Sequence, residues 1–132
     1  MVTKNDPLQG LVAKDVGSID RTRVANFLQS FVVIDGSTKE ISFLSEFQKI
    51  NSNPEKMEII LLAAKARSLL FEVSDGLSPV DIIALDIMPV GSVKSSLKIL
   101  FDSRKIKKDK DGRYFLPGYR INEIINKYNN KD

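Results

Sequence analysis

The stretch 53–76 constrains the fold more than any other part of the chain. Asn53-Pro54 reads as a helix start, because Asn caps free N–H groups and Pro is tolerated at the first helical position. From there to about Val73, the side chains of Met57, Ile60, Leu61, Ala64, Leu69 and Leu70 lie nearly all round a helix and form no single stripe. A helix apolar on every side is stable in water only when other elements surround it, so 54–73 is predicted to be a central buried helix. Ser74-Asp75-Gly76 ends it.

The flanking segments carry patterns of their own. Asp20 caps a helix in which Val24, Phe27, Leu28 and Phe31 follow i, i+3, i+4, i+7 spacing, one apolar stripe. The run 31–34, rich in β-branched residues, meets Asp35-Gly36, and Ile41 and Phe43 alternate with Ser42 beyond it, which predicts a small hairpin. Residues 45–50 read as one helical turn, closed by Asn51-Ser52-Asn53. Leu8, Leu11 and Val12 give 1–17 only a weak pattern, that of a short helix or a loose arm.

Downstream, Ser78-Pro79 repeats the cap-then-proline signal and opens a short helix through Ile82, Ile83 and Leu85. Pro89 and Gly91 interrupt it. A second helix follows over 92–104 with Val93, Leu97, Leu100 and Phe101 on one face. Ile106, the turn Lys110-Asp111-Gly112-Arg113 and then Tyr114-Phe115-Leu116 predict a hairpin turning at Asp111-Gly112. Alternation sends one of Tyr114 and Phe115 inward and the other outward. In the final segment Ile121, Ile124, Ile125 and Tyr128 share one stripe. Such a helix either packs back on its own domain or forms a homodimer.

Composition narrows the chemistry. The chain has 132 residues, no Cys and no His. Disulfides, thiolate metal sites and the commonest general bases are therefore absent, and no cofactor or metal motif is present. Asp81, Asp86 and Asp102 are acidic candidates only by their presence, with no catalytic arrangement, so no enzymatic activity is expected. Charged and polar residues interrupt 1–17, and the longest apolar run, 59–64, is far short of a membrane span. A soluble, cytoplasmic protein is expected.

Net charge is only +3, but it is uneven. Residues 1–53 balance six basic against six acidic side chains, and 54–90 carry three against six. Residues 91–132 carry eleven basic against five acidic, a local excess of +6. Concentrated positive charge on a nearly neutral chain points to a polyanionic partner.

Gly91-Ser92-Val93, then Leu97, Leu100, Ile106, Gly112, Tyr114 and Leu116, resemble the winged helix-turn-helix superfamily over about 54–117. The resemblance implies that 54–73, 78–85 and 92–104 are its three helices, the last a recognition helix, and that 105–109 and 113–116 form the wing. Two positions depart from the pattern. Ile87 stands where the turn usually has glycine, and Ile83 stands where the second helix usually has a small residue.

The expected fold is α+β and mostly helical, a winged helix-turn-helix at 54–117. An N-terminal helix-plus-hairpin elaboration at 1–53 and a C-terminal helix within 118–132 complete it. The expected function is binding of double-stranded DNA, as a transcriptional regulator, with the helix at 92–104 in the major groove. Its outer face presents Ser92, Lys94, Ser95 and Lys98, while Arg104, Lys105, Lys107, Lys108, Lys110 and Arg113 reach phosphates. The alternative is a winged helix serving as a protein–protein adaptor in a larger assembly.

Overall fold

The computed structural model describes residues 7–8 and 19–129; the expectation for 1–17 falls outside them except at Pro7 and Leu8. Helix α1 (Arg21–Leu28) starts where Asp20 accepts a hydrogen bond from the Arg23 N–H at 3.0 Å. Strands β1 (Val32–Ile34) and β2 (Ile41–Phe43) pair antiparallel, Val32 opposite Phe43. The Asp35 carboxylate closes their connection by accepting the N–H groups of Ser37 at 2.7 Å and Thr38 at 2.8 Å. Those amides, Thr38 first, hold its carboxyl below the ordinary acid range. Lys39, not Gly36, takes the left-handed turn conformation, with φ 64°. A single turn, α2 (Ser45–Gln48), follows and buries Phe47.

Helix α3 (Asn53–Phe71) is the expected central helix. Ser52 caps it, accepting from the Glu55 N–H at 3.3 Å, and every residue from Met57 to Lys65 is buried. Leu70, assigned above to the core, is instead 58% exposed, at an open cleft between the last turn of α3 and α1. The helix stops at Glu72, whose φ of 56° is left-handed. A side chain with a Cβ is strained there, and a carboxylate at a helix C-terminus opposes the macrodipole. Glu72→Gly relieves both and is expected to stabilise the protein by about 0.5–1 kcal/mol, read as a raised urea midpoint.

The remaining elements are α4 (Pro79–Ala84), α5 (Val90–Asp102), β3 (Lys107–Lys108), β4 (Tyr114–Phe115) and α6 (Tyr119–Asn129). The fold is mixed α+β and mostly helical, with two separate two-stranded antiparallel sheets. Val93, Ser96, Leu97 and Leu100 of α5 are buried, and α5 packs most extensively against α3. One core runs from Val24 in α1 through α3 and α5 to Ile125 in α6.

The C-terminal stripe faces this core. Ile121, Ile124 and Ile125 are buried, and Tyr128 stacks edge-on against Phe27 and Phe31 at ring-centre distances of 5.4 and 5.8 Å. The dimer expectation for Ile121, Ile124, Ile125 and Tyr128 is therefore corrected: their apolar surface is used up within the chain, the three isoleucines wholly and Tyr128 by half. Polar contacts hold the same helix. Arg120 and Lys127 both bond the carboxylate of Glu58, which is buried in α3, and Arg23 of α1 bonds Asn122 and Asn126. Burial, then the nearby charges of Glu55 and Glu58, push the Tyr128 phenol well above its ordinary value. Among the described residues, no helix is long and apolar enough to cross a membrane.

Candidate nucleic-acid interface

Helix α4 is opened by a reciprocal cap. Ser78 Oγ accepts from the Asp81 N–H at 3.1 Å, and the Asp81 carboxylate accepts from the Ser78 N–H at 3.0 Å. Asp86, with φ 54°, takes the left-handed position after α4, one residue before Ile87, where the sequence pattern had set the missing glycine. Pro89 then starts α5 at Val90, two residues earlier than predicted. Ser92 consequently lies within the first turn, half-buried. Ile83 is half-buried and Ala84 exposed. A small side chain of α5, Ser96, is buried, although it looks in the sequence like one more polar residue.

On the outer face of α5, Lys94, Ser95 and Lys98 are exposed, as expected. Ser95 Oγ donates to the Ser92 carbonyl at 3.3 Å. Lys98 pairs with Asp102 one turn on, at 2.9 Å. Phe101, assigned above to the core face, is 41% exposed and needs correction. By that point α5 lies over the second hairpin. The Phe101 ring meets Tyr114 of β4 edge-on, with centres 6.0 Å apart.

That hairpin, β3 with β4, is short, Lys107 opposite Phe115 and Lys108 opposite Tyr114. Its turn is tied by Asp109, whose carboxylate accepts from the N–H groups of Asp111 at 2.9 Å and Arg113 at 3.0 Å. Gly112 there adopts φ 78°, the conformation for which Asp-Gly was read as a turn signal. Leu77, between α3 and α4, exchanges two backbone hydrogen bonds with Tyr114, at 2.9 and 2.8 Å. The bridge gives the hairpin a third edge and anchors it beside α4. Tyr114 and Phe115 are both half-buried, and their contacts lie on different elements. Tyr114 meets α5, whereas Phe115 lies under the Lys65 ammonium of α3 at 5.9 Å.

The predicted cations divide into groups. Arg104, Lys107 and Lys108 line one open cleft with Phe101, Asp102 and Tyr119. The Lys108 ammonium sits 5.1 Å from the centre of Phe101 and 5.0 Å from that of Tyr114. Lys94 and Lys98 continue from this cleft along α5, since positions 94, 98 and 102 follow one helical stripe. Lys105 and Lys110 are exposed at either end of β3. Arg113 is not part of this group. It borders a different cleft, with Lys39, Arg67 and Asp81, and its Cβ lies 3.0 Å from where a Cβ on Gly76 would stand.

Two kinds of residue escape a reading of the sequence. Exposed aromatics at Phe101 and Tyr119 flank the lysines. Three charged residues, Glu58, Lys65 and Arg120, are buried behind the surface. Lys65 pairs with Asp75 just before the Leu77 bridge, and so ties α3 to the base of the hairpin. No local signal marks Glu58 as buried, because its partners Arg120 and Lys127 are distant in sequence. The surface as a whole can attract phosphate through its cations and offer flat rings to sugar or base. Among the described residues no three acidic groups are placed to hold a metal ion. No protein-family model, curated protein or solved structure matches the chain.

Proposed function

We propose that the chain is a winged helix-turn-helix protein that binds double-stranded DNA and regulates transcription, with α5 entering the major groove and the β3–β4 hairpin reaching flanking phosphates. One observation carries this reading: the exposed lysine face of α5 runs on to Lys107 and Lys108 through Phe101 and Asp102. The helix order and the Leu77–Tyr114 bridge, which gives a helix–strand–helix–helix–hairpin succession, support the winged-helix assignment. Lys, Ser and no Arg, Asn or Gln on the outer face favour phosphate contact over bidentate base reading, so sequence discrimination should be modest.

Titrating labelled duplex DNA across a salt series tests the reading. Lys94→Ala/Lys98→Ala should weaken binding at low salt and reduce the slope of log K against log salt by about 2, one for each phosphate that the variant no longer neutralises. Asp102→Asn removes a negative charge and frees Lys98, and should tighten binding. No binding at low salt, or a double mutant indistinguishable from wild type, refutes the proposal.

A second reading, a protein-interaction module, is favoured by the exposure of Val90 and Ile99 on the same helix. If it holds, Ile99→Asp abolishes capture of a protein partner while DNA titrations stay flat.

A further inference from the structure

The open cleft between the end of α5, β3 and the start of α6 measures about 620 Å³, and its chemistry differs from that of the α5 face. Its rim carries Arg104, Lys107 and Lys108, all exposed. It also carries two exposed rings, Phe101 and Tyr119, at 41% and 44% exposure. Solvent-exposed rings interleaved with cations suit an unpaired nucleotide strand, whose bases offer faces for stacking and whose phosphates carry charge. A duplex hides those faces within its own stack.

The lysines now occupy the rings. Lys107 lies 5.8 Å from the centre of Tyr119, and Lys108 lies over Phe101. A cation over an exposed ring is only weakly held. An arriving phosphate can therefore draw the ammonium off and uncover the ring for a base in one movement. The one acidic side chain in the cleft, Asp102, has its charge engaged by Lys98 at 2.9 Å. The floor, Ile106, is buried and apolar.

We infer that this cleft is a binding site for single-stranded nucleic acid, stacking bases on Tyr119 and Phe101 while Arg104, Lys107 and Lys108 hold the phosphates. It rests on the duplex reading only for where the strand comes from: an end or opened segment leaving the duplex held by α5.

The probes are a blunt duplex, the same duplex with an oligothymidylate overhang, free oligothymidylate and free oligouridylate. The overhang should tighten binding about tenfold, in keeping with the cost of losing a stacked base. Tyr119→Ala should remove that gain, so that the variant binds its overhanging and blunt duplexes alike, while Tyr119→Phe keeps it. Because the chain has no Trp, emission comes from its three tyrosines; stacking on Tyr119 should quench its share, and Tyr119→Phe should remove that part of the quenching. Phe101→Ala, in a folded variant verified by its thermal transition, should also lose free oligothymidylate binding. Wild type that binds blunt and overhanging duplex equally overturns this inference and leaves the duplex reading standing. Binding of free oligothymidylate without blunt duplex does the reverse. Tighter binding of oligouridylate supports the cleft and identifies the strand as RNA. An overhang gain that survives Tyr119→Ala overturns it, as does the absence of binding to any probe.

Discussion

Truncation after Gly118 will abolish cooperative folding, and it will not simply convert a dimer into a monomer. The removed helix α6 contributes Ile121, Ile124 and Ile125, each buried to 3% exposure or less. Full burial of such a side chain stabilises by about 1.5–3 kcal/mol, so the three together amount to roughly 5–9 kcal/mol. A domain of this size has a total stability of about 5–15 kcal/mol. The loss also uncovers Val24 of α1, which borders Ile121 and Ile125, and it strips Glu58 of both cations that neutralise it. Far-UV circular dichroism during urea titration should show a broad, non-cooperative change. A sharp transition accompanied by a halved sedimentation mass would overturn this account of α6.

Arg120→Ala should cost about 3–5 kcal/mol, more than most single surface changes by severalfold. Arg120 is 7% exposed and spends its guanidinium on Glu58 and Glu123, while its Nε donates to the Lys105 carbonyl at 3.3 Å. Truncation leaves the Glu58 carboxylate, at 2% exposure, with Lys127 as its remaining cation at 3.1 Å. A buried charge without its partner has lost hydration and gained too little in return. The double variant Glu58→Met/Arg120→Met removes both charges and should recover most of the loss, because desolvation of the ion pair offsets much of its attraction. Urea midpoints for wild type, single and double variants measure the cycle. Equal destabilisation in single and double variants would mean that shape, not charge, makes Arg120 indispensable. The pair also bears on the proposed interface, since the Arg120 bond to Lys105 fixes the chain just before β3.

What the sequence by itself determined was local. Asp20 and Ser78 cap helices because their oxygens reach an N–H three residues on, whereas the cap of α3 falls on Ser52, one residue before the Asn53 that the sequence suggests. Gly112 turns the second hairpin because its φ suits a residue without Cβ. The absence of a polar stripe in 54–73 required a surrounded helix, and Met57 to Lys65 are buried in turn. Only tertiary structure decided the rest. Periodicity puts Phe101 on the same stripe as Leu97, but α5 has reached the hairpin by then, so the ring faces Tyr114 and solvent. The stripe of α6 is equally fit for a partner or for its own core, and the position of Glu58 on α3 draws it inward through Arg120 and Lys127. Charged residues inside a core cannot be recognised along the chain, because what makes their burial tolerable is a counter-charge 62 or 69 positions away. Local chemistry acts over one turn, whereas a face is buried or exposed according to what the fold brings against it.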